Sequence, residues 1–432
     1  MMKHNIPKTA TFFADVLLLW VTLSPTLVYI KSATFSSGII ASAYLVAIVY
    51  AASRLWYSPL RGVLATMYQQ DKWYWLLAIF LVVVAFFSST HSTDPLTTMR
   101  HTCLLSGTAV IGLYLGCRYT GSSLIRLLFF ALAPVAVASI YLCVTDPAAT
   151  IMHSPPFHPL HDGRWRGVFT HKNWLGMYMG LLSVILVGHA LVHRISANSH
   201  LIILLATLML SLLLMLKAES TTALIAMSLT VAAIIGGSIS MNAHKKKMWR
   251  FSVGILAVPL LSASLLDSSL LSGSHAAIAD ASANQSHGFM RDGTLSGRVP
   301  HWGHVLDAIQ AKPWPGYGYE TFWHSADAKV IDKKNQFVAS QAHSGWLDTF
   351  LDFGIAAGLL VIAWMFWTLQ RSIYLASRNR AFLAPASVLL YMFIANCTES
   401  ILPNHSGLLF VLMIAMAAIT SRKKLSSTQQ IH

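Results

Sequence analysis

Arg164, Arg166, His171 and Lys172 crowd into the run Gly163-Arg164-Trp165-Arg166-Gly167-Val168-Phe169-Thr170-His171-Lys172-Asn173, where a loop leads into an apolar stretch. Cations beside the unpaired backbone donors of a helix N-terminus make a natural anion site. The plainer reading is interfacial arginines lying beside Trp165. Ser296-Gly297-Arg298 is followed by Trp302 and by Pro313-Trp314-Pro315-Gly316-Tyr317-Gly318-Tyr319. Arg298 offers either a planar fork for phosphate oxygens or a solvated loop cation, and the Gly and Pro residues make tight turns. In Ala342-His343-Ser344-Gly345-Trp346-Leu347-Asp348, a neutral imidazole at His343 can accept a proton from a hydroxyl. The alternative for His343 is a polar helix cap. Asp348 and Asp352, four apart on one helix face, either orient donors or cap that helix. Lys217 and Glu219, in Lys217-Ala218-Glu219-Ser220-Thr221-Thr222, either pair with each other or serve a ligand, and Glu399 in Thr398-Glu399-Ser400 is similar. Ionisable residues at a membrane edge are costly otherwise.

Other chemistries lack their residues. No Gly-rich nucleotide loop occurs, so ATP use is unsupported. No Asp-x-Asp or Glu-x-Asp pair occurs, so a carboxylate-held divalent ion is not expected. His301/His304 and His153/His158/His161 have no Cys or carboxylate to complete a zinc set, so neither metal nor cofactor is expected. Cys103, Cys117, Cys143 and Cys397 sit in or beside apolar stretches and read as small core residues.

The elements that must position these residues are membrane helices. Of 432 residues, 55% are hydrophobic and only 11% charged, with a mean hydropathy of +0.58. A soluble domain of this size cannot bury so much apolar surface, which leaves an all-α, multi-pass membrane protein. Apolar runs near 11–30, 37–53, 73–89, 101–117, 124–144, 173–192, 200–217, 221–240, 249–266, 345–368, 382–400 and 405–421 predict about twelve spans. The first is expected to remain as an anchor, since it lacks a small-x-small cleavage pattern. The net charge of +14 is read as cytoplasmic anchoring plus a patch facing an anionic substrate, not as nucleic-acid binding. With both termini inside, the inner connections and termini carry 18 Lys and Arg, against six (Lys31, Arg100, Arg164, Arg166, Lys172, Lys217) in the short outer ones. The positive-inside bias therefore predicts N-in and C-in. The expected organisation is spans one to nine over 1–266, with a Pro- and His-rich outer loop at 145–171. A large, partly helical outer loop follows over 267–344, then three spans over 345–421 and a polar tail over 422–432. Mid-span charges are few, Asp15 being the main one.

The chain resembles the O-antigen ligase / O-antigen polymerase superfamily. The resemblance rests on Trp165-Arg166-Gly167-Val168-Phe169-x-His171-Lys172-Asn173-x-Leu175-Gly176, Ser296-Gly297-Arg298, Gly316-Tyr317-Gly318 and His343-Ser344-Gly345-Trp346-Leu347, in that order along a twelve-span pattern. It implies a GT-C-like glycosyltransferase at the periplasmic face of a bacterial inner membrane. The donor would be an undecaprenyl-diphosphate-linked glycan. For an O-antigen ligase of lipopolysaccharide biosynthesis, the acceptor would be lipid A–core oligosaccharide, with membrane lipids around both. The expected roles are His343 as general base and Arg166 and Arg298 as the diphosphate clamp, with Arg164, His171, Lys172, Asn173 and Lys217 in the donor site. The family's motif often places its Arg three residues before the Gly, where Arg164 stands; Arg166, one residue before Gly167, is the other candidate and is favoured here. The alternatives are a polymerase or a protein O-oligosaccharyltransferase of the same superfamily, the latter disfavoured by the short tail. A lipid-linked glycan transporter is the reading from another class.

Overall fold

The structure, a computed structural model, describes residues 9–27, 36–57, 59–153, 162–192, 198–240, 298–335, 339–404 and 407–422. The predicted ninth span, the first part of the large loop, Lys245–Lys247 and the tail after Arg422 lie outside the described residues. Among the described residues there are helices and no strand. Helices cover each predicted apolar run that falls on them: α1 Thr9–Leu23, α2 Ser36–Trp56, α3 Leu60–Gln70, α4 Lys72–Ser88, α5 Pro95–Arg118, α6 Gly121–Thr145, α7 Lys172–Val192, α8 Asn198–Ala218, α9 Thr221–Ser240, α10 Arg298–Ala311, α11 Ala326–Asn335, α12 Gly345–Arg378, α13 Leu383–Ala395 and α14 Leu408–Arg422. Five of these, α2, α6, α7, α8 and α12, are long and apolar enough to cross a membrane, as a membrane protein requires. The α3–α4 pair, bent by 103° at Asp71, makes a sixth if it is one span, and α1, α9, α13 and α14 are shorter apolar helices.

Local chemistry sets several ends. Asp94 caps α5 by accepting from the Thr97 amide at 3.1 Å, ahead of Pro95 in the first turn. Thr120 and Ser123 form a capping box on α6. α3 had read as a connection in the sequence, being too polar for a span. It forms a short helix with Met67 buried and Tyr68 exposed, and the Arg61 guanidinium lies 4.6 Å from the Trp56 ring. α7 is the packing centre, touching α6, α8, α9 and α13, and α14 is buried from Leu408 to Ser421.

Asp15 is fully buried but well partnered. It accepts from Tyr119 at 2.5 Å, Tyr114 at 2.9 Å and Tyr50 at 3.3 Å, and it pairs with Arg118 at 2.9 Å. This knot ties α1 to α2 and α5.

Residues 298–353 build a second, smaller core around Val305, Ile309, Tyr317, Phe322, Ile331 and Leu351. It joins the membrane helices where α12 breaks. Gly354 has φ 74° and ψ 174°, which interrupts the helical hydrogen bonding. The turn 313–318 takes over the exposed groups: Ile355 N donates to Pro313 O (2.7 Å), and Tyr317 N to Leu351 O (2.7 Å). A Cβ at Gly354 would stand 2.0 Å from the Trp314 carbonyl oxygen. Gly354→Ala is therefore expected to cost about 3 kcal/mol or more, from the forced φ and the clash. The measurement is the thermal midpoint of the purified protein in detergent, and an unchanged midpoint contradicts this account.

Candidate active site

The loop before α7 is pinned from three sides. Met152 N donates to Arg164 O at 2.8 Å, Trp165 N to Lys217 O at 3.0 Å, and Thr170 N to Thr26 O at 2.8 Å. His171 then accepts from the Asn173 amide at 3.2 Å, capping the start of α7. α7 reaches the α8–α9 turn closely, because a Cβ at Gly176 would stand 2.3 Å from the Ser220 Cβ. That approach sets Lys172 beneath the turn. Its side chain is buried, and Nζ donates to the Glu219 carbonyl at 3.1 Å. The Glu219 carboxylate reaches back to Arg164 Nε at 2.9 Å.

The centre of the cluster is Glu399, in the α13–α14 connection. Its side chain is only 6% exposed. Oε1 accepts from Arg298 Nη2 at 2.5 Å and from Asn173 Nδ2 at 2.8 Å, while Oε2 faces His343 Nδ1 at 3.6 Å. Asn396 Oδ1 holds the turn that carries Glu399, accepting from the amides of Ile401 (3.1 Å) and Leu402 (2.9 Å). Arg298, at the start of α10, also reaches Thr222 Oγ1 at 3.4 Å, and Thr222 lies 3.0 Å from the Thr398 hydroxyl. Burial pushes the Glu399 carboxyl up, but the facing His343 and the charges of Arg298 and His171 outweigh it and hold the group below its usual value. The carboxylate is therefore ionised at neutral pH.

His343 sits in the left-handed region at φ 52°, uncommon for a non-glycine residue. Its neighbours fix that conformation. Trp302 Nε1 donates to the Ala342 carbonyl at 2.9 Å. The Ala342 amide, Trp323 Nε1 and the Ser400 hydroxyl all donate to Asp348. Asp352 likewise accepts from the Glu320 amide at 2.9 Å. Both carboxylates thus orient backbone and donors, one of the two roles open from the sequence.

His301, almost fully buried under His343, bonds the Gln341 carbonyl through Nε2 at 3.0 Å. Burial lowers its pKa from 6.5 to about 4. The folded protein keeps this imidazole neutral, whereas the unfolded chain takes up a proton below pH 6.5. Stability from this residue is intact above pH 6.5 and is lost as pH falls towards about 4, some 3 kcal/mol in all (about 1.4 kcal/mol per unit). In melts across that window, His301→Gln is expected to lose about that much less than wild type; parallel curves contradict the account.

Of the residues singled out in the sequence, the fold brings Arg164, His171, Lys172, Asn173, Arg298 and His343 to one end of the helices. Lys217 stands at the rim, its ammonium 5.6 Å from the Trp165 ring, and Glu219 pairs with Arg164 and not with Lys217. Arg166 turns elsewhere: Nε donates to the Ala149 carbonyl at 3.1 Å, and Nη1 lies 3.5 Å from the Thr170 carbonyl. It braces the loop, and Arg164, at the position where the family's motif often has its Arg, is the arginine beside Glu219 and Lys172, the reverse of the preference stated from the sequence. Glu399 as the hub was missed. Its signal was a lone acidic residue between two hydroxyl residues at an outer span end, which is equally the signal of a simple ion pair. Among the described residues, no three His, Cys, Asp or Glu side chains gather as a metal-binding set.

Residues 205–362 match the family model described as O-antigen ligase. The matched stretch is similar to the O-antigen ligase family over a little more than a third of the chain. It holds Lys217, Glu219, Thr222, Arg298 and His343, while Arg164, Lys172, Asn173 and Glu399 join the site from outside it. No curated protein matches the chain. A cationic cluster with an imidazole beside it can neutralise an anionic group and accept a proton next to it.

Proposed function

We propose that the chain is an inverting, metal-independent O-antigen ligase. It moves an O-antigen glycan from undecaprenyl diphosphate to lipid A–core at the periplasmic face of the inner membrane. The observation that carries this reading is the convergence of Arg298, Lys172, Arg164 and His343 at one end of the helices. Three cations there can neutralise a lipid diphosphate, and an imidazole lies in the same cluster. The arrangement fits a GT-C-like architecture of about twelve spans with both termini cytoplasmic, in keeping with the bias of basic residues.

The reaction follows from these groups. The acceptor hydroxyl gives its proton to His343 Nε2 as its oxygen attacks the anomeric carbon. The bond from that carbon to the diphosphate oxygen breaks, and the electron pair leaves on phosphate. Arg298, Lys172 and Arg164 stabilise the developing charge. Attack opposite the leaving group inverts the centre, and the free energy comes from the sugar–phosphate bond.

The test is purified protein in liposomes with an undecaprenyl-diphosphate-linked glycan and either lipid A–core or a second lipid-linked glycan. The expected result is transfer to lipid A–core that survives EDTA and needs no ATP. Transfer only to the second lipid-linked glycan makes the protein a polymerase, and activity lost in EDTA and restored by Mg²⁺ overturns the cationic clamp. A transporter would need ionisable residues along a mid-membrane path. The mid-span Asp15 is engaged by three tyrosines and an arginine, which counts against that role.

A further inference from the structure

Glu399 is a puzzle for a site meant to bind diphosphate. A buried carboxylate repels that ligand, and it occupies the guanidinium that the ligand would use. Were Arg298 only a clamp, the site would bind donor better without Glu399. The geometry offers a reason for its presence. The two carboxylate oxygens are divided: Oε1 serves Arg298 and Asn173, and Oε2 faces His343 Nδ1. One rigid group therefore touches both halves of the chemistry, the leaving-group side and the base.

We infer that Glu399 is a positioning residue for the transfer reaction, orienting His343 through Nδ1 and presetting Arg298, at a cost in donor affinity. This inference rests on the transfer reading given above. A proton on Nδ1, directed at a carboxylate, leaves Nε2 unprotonated and aimed away, as a base requires. When the base takes up the acceptor's proton, the adjacent carboxylate stabilises the new positive charge. The Gln341 side-chain amide presents Nε2 at 3.2 Å from Nδ1, an orientation that suits the other tautomer. With its oxygen turned to the ring, it accepts from the same N–H and supports the same tautomer. The backbone supports the arrangement from the other side, since Gly345 N donates to the carbonyls of Asn396 (3.0 Å) and Glu399 (3.2 Å). The start of α12, two residues after His343, is thereby fixed to the turn that holds the carboxylate.

This role separates binding from turnover, which a merely structural carboxylate does not. Glu399→Gln keeps shape and one acceptor but removes the charge. Two readouts are taken: affinity for undecaprenyl diphosphate itself, and single-turnover transfer from the lipid-linked glycan. The expected result is turnover reduced about 10²-fold, with the Kd for undecaprenyl diphosphate equal to or tighter than wild type. Arg298→Ala moves the Kd the opposite way. Glu399→Asp keeps the charge and serves if the Gln variant does not fold. It is expected to bind the probe as wild type does and to turn over between wild type and Gln. Donor affinity lost tenfold or more in either folded Glu399 variant overturns the inference, as does turnover near wild type in Glu399→Gln. Wild-type protein that binds the lipid but transfers glycan to no acceptor overturns the transfer reading itself, a different outcome from either.

Discussion

His343→Ala is expected to lower single-turnover transfer by about 10²–10⁴-fold while leaving the Kd for undecaprenyl diphosphate within about threefold of wild type. Arg298→Ala is expected to weaken both. Each loss follows from what the side chain touches. The imidazole neighbours Gln341, Glu399 and His301, and in the proposed reaction it meets only the acceptor's hydroxyl. Removing it deletes a proton acceptor and leaves the cations in place. Arg298 supplies a charge-assisted contact worth roughly 1.5–3 kcal/mol, so its loss costs about 10–150-fold in donor affinity. It also leaves Glu399 buried without its guanidinium, which adds to the penalty. Arg298→Lys is expected to recover only part, because an ammonium lacks the fork that spans Glu399 and Thr222. Paired binding and rate measurements on folded variants decide the matter. If His343→Ala loses donor affinity as badly as Arg298→Ala, the division between base and clamp is wrong.

The cluster behind this expectation was partly legible in the sequence, and the reason is physical. Apolar runs of spanning length can do little but form helices in a membrane, so α2, α6, α7 and α8 stand where hydropathy put them. Cations at helix ends that the sequence reading takes as outer, where the positive-inside rule expects few, also stood out without a structure. The partners did not. Glu399 lies 101 residues from Arg298 and 226 from Asn173, and no local pattern announces such a meeting. The break at Gly354 was hidden for a similar reason. A glycine inside an apolar run usually continues the helix, and only the turn at Pro313–Gly318, packed against it, makes an interruption cheap. The bend between α3 and α4 escaped because α3 is too polar and too short to register as a span.

The choice between Arg164 and Arg166 was the least legible, and it gives the second large effect. Arg164→Ala is expected to weaken binding of undecaprenyl diphosphate by about tenfold or more, and Arg166→Ala to change that affinity by about threefold at most. Two residues apart in an extended loop, the two side chains fall on the same face by pattern, so the motif alone leaves the pair interchangeable. Tertiary contacts separate them. Arg164 runs towards Glu219, whose carbonyl holds Lys172, and its charge is felt at that ammonium. Arg166 spends its guanidinium on the Ala149 and Thr170 carbonyls, and its own amide donates to Thr150 O at 2.9 Å. Its loss leaves those carbonyls short of a donor and loosens the loop, an effect on stability of about 1–3 kcal/mol. Arg164 therefore shifts the binding isotherm at nearly constant melting temperature, and Arg166 shifts the melting temperature at nearly constant affinity. If Arg166→Ala loses donor affinity tenfold while Arg164→Ala binds normally, the sequence-based preference for Arg166 was right and the loop reorients its arginines when the lipid arrives.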